Sequence, residues 1–227
     1  MTDRPVRPAL SRRLVQTPIV AVLRADDASR YDAVIDVLVE HGITSIELTL
    51  TTPDTLEQLP RLVERLGADA DLGVGTVTSV EQADAAIGGG AHYLVTPVTL
   101  SEVVAVGVAA GRPVFPGALS PTEVFAAWTA GATAVKIFPA QTVGPGYGSH
   151  LRGPFPDLAF IPSGGVGEAD VQPWLRAGAA AVSVGGPLIG DALAGGSLTA
   201  LGERAERFRA LAAEARAETR TESVAAR

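Results

Sequence analysis

The sequence predicts a single α/β domain, a (β/α)8 TIM barrel with an extra N-terminal helix or arm and a C-terminal helix. Eight short Val-, Ile- and Leu-rich runs bounded by Gly, Pro or Asp alternate with longer amphipathic stretches, the pattern of a parallel sheet wrapped in helices. Eight such units within a 227-residue chain match a barrel at the short end of its size range. The doubly wound open sheet comes second, because the first strand-to-helix turn, Arg24-Ala25-Asp26-Asp27-Ala28-Ser29, has no G-x-G-x-x-G fingerprint.

The elements follow in order. Residues before Pro18 form the arm or helix that closes the barrel bottom. The strands are Ile19 to Leu23, Ser45 to Leu50, Leu72 to Gly75, Tyr93 to Thr96, Val114 to Pro116, Ala134 to Phe138, Ala159 to Pro162 and Ala181 to Val184. Between them fall the helical patterns Tyr31 to His41, Thr55 to Leu66, Val80 to Gly88, Leu100 to Ala110, Pro121 to Ala130 and Glu168 to Ala177. Several of these stop at a glycine suited to a left-handed cap, as at Gly42, Gly111, Gly131 and Gly178. Beyond the last strand, Leu198, Leu201, Ala205, Phe208, Leu211 and Ala212 recur at helical spacing. The barrel core therefore spans residues 14–195, a last helix 196–217 and a disordered polar tail 218–227, with no linker that would split off a second domain.

Composition narrows the function classes. With 47% hydrophobic and 19% charged residues the chain has the apolar surface for a core. The absence of cysteine excludes disulfides, thiolate metal sites and Cys nucleophiles, and fits a cytoplasmic location. A net charge of −7 and no basic stripe set nucleic acid aside as a partner. Gln16, Thr17 and Pro18 interrupt the one N-terminal apolar run, against a signal peptide, and no stretch approaches the roughly 18 apolar residues of a membrane span. His41, His92 and His150 show no metal-ligand spacing, so no metal is expected, and no G-x-S-x-G elbow appears.

Chemistry in such a barrel sits at the C-terminal ends of the strands. The polar residues there are Arg24, Glu47, Thr49, Thr51, Thr76, Thr96 and Lys136, followed by Ser163-Gly164-Gly165 and Gly185-Gly186. Of eighteen basic residues seventeen are arginine; the single lysine, Lys136, stands inside the apolar run Thr133-Ala134-Val135-Lys136-Ile137-Phe138-Pro139. A lysine facing the barrel interior loses hydration, which favours the neutral, nucleophilic amine and points to Schiff-base chemistry. The alternatives are an inert buried ion pair or an outward-facing side chain. In Ile46-Glu47-Leu48-Thr49-Leu50, strand alternation puts Glu47 and Thr49 on one face, so an inward Glu47 is either a structural partner of Lys136 or a base beside a nucleophile. The two glycine pairs expose backbone amides where barrels hold phosphate, or they serve only the turns.

Seven segments in order carry a family likeness: Ile19-Val20-Ala21-Val22-Leu23-Arg24, Glu47-Leu48-Thr49-Leu50, Gly73-Val74-Gly75-Thr76-Val77, Thr96-Pro97, Phe115-Pro116-Gly117, Val135-Lys136-Ile137-Phe138-Pro139-Ala140 and Pro162-Ser163-Gly164-Gly165-Val166. Over residues 14–190 the chain resembles the KDPG/KHG aldolases, class I enzymes that split 2-keto-3-deoxy-6-phosphogluconate or 4-hydroxy-2-oxoglutarate into pyruvate and an aldehyde. The resemblance implies that Lys136 forms the carbinolamine and iminium with the substrate C2 carbonyl while Glu47 shuttles protons. It implies substrate contacts from Arg24, Thr51, Thr76, Thr96, Pro97, Phe138, Ser163, Gly164, Gly165, Gly185 and Gly186, no cofactor, and a homotrimer.

Three departures bear on the substrate. Thr51 stands where the best-known members carry a carboxylate-binding arginine, leaving Arg24 and Thr76 for that duty. Pro187 replaces a serine after the second glycine pair and removes both a hydroxyl and a backbone N–H. The segment Gly144 to His150 lacks the usual lysine. The competing readings are an aldolase for a non-phosphorylated or otherwise modified 2-keto-3-deoxy acid, a sugar-phosphate isomerase or epimerase, and a non-catalytic barrel.

Overall fold

The computed structural model describes residues 6–225, with side chains to residue 218. A short helix α1, Arg12–Gln16, is capped by the Ser11 hydroxyl accepting from the Leu14 amide. Strand–helix units then repeat: β1 Ile19–Leu23 and α2 Tyr31–Glu40, β2 Ser45–Thr49 and α3 Thr55–Leu66, β3 Asp71–Gly75 and α4 Val80–Gly88, β4 Tyr93–Val95 and α5 Ser101–Ala109. The chain continues through β5 Val114–Phe115, β6 Gly117–Ala118 and α6 Pro121–Thr129, then β7 Val135–Ile137, α7 Gly146–Arg152, β8 Phe160–Pro162, α8 Glu168–Arg176 and β9 Val182–Val184. A four-residue α9, Gly186–Ile189, and the long α10, Leu198–Ala225, end it.

All strand pairs are parallel and form a curled α/β sheet, but in two pieces. Six strands run in the order β5-β4-β3-β2-β1-β9 and three in the order β6-β7-β8. The expected fifth strand, Val114 to Pro116, changes sheets at its proline. Phe115 O accepts from Thr96 N in the larger sheet, whereas Pro116 O accepts from Lys136 N in the smaller one. Pro116 has no N–H with which to continue a ladder. Across the opposite seam, β8 and β9 share one isolated bridge, Ser163 with Ser183, and a bond from Ala180 N to Phe160 O.

Side chains alternate between two cores, as the period of a strand requires. Outward residues such as Leu23, Leu48, Val74 and Ile137 meet the helices in the large cluster. Inward residues Val20, Tyr93, Val95, Phe115, Ala134, Ile161 and Ala181 form a smaller cluster closed from below by Leu14 of α1. Helix α10 runs eight residues past the expected end at Ala217. Glu218, the first residue past that point, accepts from Arg176 Nε at 2.7 Å; residues 226 and 227 of the expected tail lie outside the described residues.

Helix α10 packs on α8 and α2, and Phe208 at its centre is fully buried. Phe208→Ala is expected to lower the unfolding free energy by about 3–5 kcal/mol, read from denaturant titration.

Candidate active site

The C-terminal end of the sheet opens into a cavity of about 520 Å³ whose floor carries Glu47 and Lys136. That volume is within the usual range for a small-molecule site, roughly 300–1,000 Å³. Lys136 comes from β7, where it pairs in register with Gly117 and Ile161, and Glu47 comes from β2, between Val22 and Gly73. Both sit on inward positions of different sheets. Lys136 Nζ stands 3.9 Å from Glu47 Oε1, with side chains 11% and 2% exposed. The separation is within ion-pair range but beyond a hydrogen bond. Glu47 Oε2 has no hydrogen-bond partner, so one oxygen of a buried carboxylate is open to a third group. The aromatic face of Phe138 lies 5.3 Å from Nζ and walls the amine on one side.

Glycines on β3 make room for this arrangement. A Cβ at Gly75 would fall 2.0 Å from Glu47 Oε1, and one at Gly73 would fall 2.1 Å from the Tyr93 ring. The carboxylate therefore lies across the bare backbone of β3. At the end of that strand Thr76 adopts φ 60°, a left-handed conformation that costs a non-glycine residue about 1–2 kcal/mol, and its side chain lines the cavity.

Of the other expected site residues, Arg24, Pro97, Phe138, Ser163, Gly164, Gly165, Gly185 and Gly186 also line the cavity. Ser163 Oγ lies 3.3 Å from Ser183 Oγ, which ties the two glycine loops together. Thr51 and Thr96 do not line it. Thr51 is exposed and donates to Thr49 Oγ1 at 3.2 Å, folding back onto the strand end. Thr96 is fully buried; its hydroxyl donates to Val98 O and accepts from Gly117 N, so it fastens a turn. Strand-end position located both threonines but not the direction their hydroxyls take.

The cavity lining also includes Val22, Asp26, Ser183 and Leu193, which are not among the residues expected there from the sequence. Ser183 was legible, because the alternation Val182-Ser183-Val184 that places Glu47 inward does the same for it. Asp26 puts a negative group beside Arg24 at the rim, and Leu193 arrives from the segment after α9, for which no strand rule applies. The histidines lie apart from the cavity: His41 Nδ1 is 3.1 Å from Glu206 Oε1, and His92 Nδ1 accepts from Leu72 N. Among the described residues no three His, Asp or Glu side chains converge as a metal-ligand group.

Known proteins resemble this chain over most of its length. The profile described as KDPG and KHG aldolase matches residues 10–198. The 2-dehydro-3-deoxy-6-phosphogalactonate aldolase of Escherichia coli K12 is 36% identical over 172 residues, 75% of this chain and 84% of that one. The 2-dehydro-3-deoxy-phosphogluconate aldolase of Treponema pallidum is 35% identical over 150 residues, 66% of this chain and 70% of that one. Among solved structures, a cube-shaped protein cage designed by fusing symmetric oligomeric domains superposes with a TM-score of 0.83 at 32% identity, covering 92% of this chain and 77% of that one.

Gly75→Ala is expected to force the Glu47 carboxylate away from Lys136 and to cost about 1–3 kcal/mol of stability through overpacking. A crystal structure of the variant with Nζ and Oε1 still 3.9 Å apart would contradict the crowding described.

Proposed function

The chain belongs to the KDPG and KHG aldolase family, and from that premise we propose that Lys136 and Glu47 carry its carbon–carbon bond cleavage. The protein is a class I, pyruvate-dependent aldolase of 2-keto-3-deoxy sugar acids. The single observation that carries the residue assignment is the 3.9 Å approach of Nζ to Oε1 on the floor of a cavity that opens at the strand ends.

In this reading the Lys136 amine attacks the C2 carbonyl, and loss of water from the carbinolamine gives the iminium. Glu47 takes the proton of the C4 hydroxyl. The C3–C4 bond then breaks, its electron pair entering the iminium to leave an enamine, and the aldehyde departs. Protonation of C3 and hydrolysis release pyruvate and restore Lys136. The iminium is the electron sink, so no cofactor is invoked. Arg24 and Thr76 hold the substrate carboxylate, and the amides of Gly164-Gly165 and Gly185-Gly186 face the distal end.

The substrate is 2-keto-3-deoxy-6-phosphogluconate and/or 4-hydroxy-2-oxoglutarate, with the C4 epimer left to the aldehyde pocket, since relatives act on both the gluconate and the galactonate series. Pro187 at the mouth withholds one amide from a phosphate, so a non-phosphorylated substrate is the second version of the same chemistry.

The assembly and location complete the reading. Val114 to Ala118 counts as one strand broken at Pro116, and with the Ser163–Ser183 bridge this supports a closed eight-stranded barrel forming one domain. A homotrimer is implied by the family resemblance and supported by the designed cage of fused oligomeric domains. The cysteine-free composition supports a cytoplasmic location.

Incubation with pyruvate and borohydride is expected to add one reduced pyruvate to the protein mass, and Lys136→Ala to abolish the adduct. No adduct, or one that persists in the variant, overturns the assignment. Arg24→Ala is expected to raise the pyruvate KM about tenfold through loss of a charge-assisted contact; an unchanged KM removes Arg24 from the site.

A further inference from the structure

Four buried side-chain oxygens have no hydrogen-bond partner among the described residues: Ser45 Oγ, Glu47 Oε2, Asp71 Oδ2 and Tyr93 OH. All four stand on the inward faces of three neighbouring strands, β2, β3 and β4. The register aligns Ser45 with Asp71 and Glu47 with Gly73, which in turn pairs with Tyr93. Neighbouring strands lie about 4.7–4.9 Å apart and same-face residues along a strand about 6.6 Å apart, so these positions form one compact patch.

The patch is ordered along the barrel axis. Its upper end is the Glu47 carboxylate, lying over Gly75. Below it the Tyr93 ring covers Gly73, whose missing Cβ would otherwise fall 2.3 Å from Tyr93 Cζ. Phe115, with ring centroids 5.3 Å apart, holds the ring from the other side. Below that come Ser45 and Asp71. Asp71 Oδ1 accepts from Arg13 Nη1 at 3.3 Å, and the Arg13 side chain, 35% exposed, reaches solvent beside α1. The polar column thus runs from the reactive carboxylate to the opposite end of the sheet.

An unpartnered buried polar group is costly, and four in one patch is the setting in which enclosed waters, each making about three hydrogen bonds, are held. Burial foremost, then the nearby Glu47 and Asp71, push the Tyr93 phenol well above its ordinary range, so it remains a neutral hydroxyl. Such a group accepts a proton on its oxygen while giving up its own hydrogen, and so relays without ionising.

We propose that Tyr93, Asp71 and Ser45, bridged by enclosed water, form a proton path that serves Glu47 from the N-terminal end of the barrel. It rests on the reading of Glu47 as the proton carrier. The balance is simple. The proton that Glu47 takes from the C4 hydroxyl or from the pyruvate methyl group is the one it gives to C3 of the enamine, and along the path one such proton leaves toward bulk solvent at the Asp71 end for each one that enters, so Glu47 and Tyr93 both end each passage unchanged. The need for such a path is geometric: Glu47 is 1% exposed, and it lies at the floor of the cavity that a substrate would fill. Tyr93 is a positioning and relay residue and touches no substrate.

The test compares two readouts in wild type and Tyr93→Phe, which keeps the ring and removes the hydroxyl. One is the borohydride-trapped pyruvate adduct on Lys136; the other is exchange of the pyruvate methyl hydrogens in D2O, followed by NMR. The expected result is an adduct within about twofold of wild type and exchange slowed about tenfold or more, since proton transfer by a placed group is worth 10²–10⁴-fold. An intact adduct with unchanged exchange overturns the relay, whereas no adduct in wild type overturns the aldolase residues instead. Should Tyr93→Phe lose the adduct too, the proton inventory of wild-type exchange decides: a curved dependence on deuterium fraction supports several protons in motion, and a straight line refutes the path.

Discussion

A lysine and a carboxylate stand close together in the interior of a parallel sheet without satisfying one another. Charges removed from water are tolerated when their partners make up the lost hydration, and a pair at hydrogen-bond distance would do so. At 3.9 Å, with Oε2 unpartnered, Glu47 and Lys136 leave part of that requirement to be met by whatever enters the cavity. The surroundings follow from holding this incomplete pair in place. Gly75 and Gly73 clear the backbone of β3, Phe138 walls the amine, and the mouth is built from loops whose amides and small side chains approach closely.

Much of this was legible in the sequence because it depends on periods and punctuation. Strand alternation put Glu47 on the inward face, and the isolation of Lys136 within an apolar run marked it as costly to bury. The helices Thr55–Leu66 and Val80–Gly88 have the bounds that the helical pattern of the sequence gives them. What escaped depends on contacts between segments distant along the chain. That Gly73 and Gly75 clear space for Tyr93 and Glu47 appears only when β2, β3 and β4 lie side by side. Thr51 and Thr96 look equivalent to Thr76 by position, but their hydroxyls turn to local partners instead.

Two further differences have local causes. Pro116 reads as the end of a strand, and the sheet change it imposes depends on which neighbour each carbonyl meets, Thr96 or Lys136. Helix α10 runs past Ala217 although its polar, apolar-poor end carries no burial signal. Arg176 and Gln172 on α8 nevertheless offer partners to Glu218 and Glu214, so the helix continues along a packed neighbour by ion pairing.

The division of the sheet at Pro116 has a mechanical consequence. Lys136 is mounted on the slab of three strands and Glu47 on the slab of six, and among the described residues the strands of the two slabs meet at the proline corner and along the β8–β9 seam, with its Ser163–Ser183 bridge and Ala180–Phe160 bond. The gap between the Lys136 amine and the Glu47 carboxylate thus spans these two joints. A change in the residues beside the proline, or in the serine bridge that itself lines the cavity, would alter how one slab sits against the other, as a pair of hinges sets the jaw of a clamp.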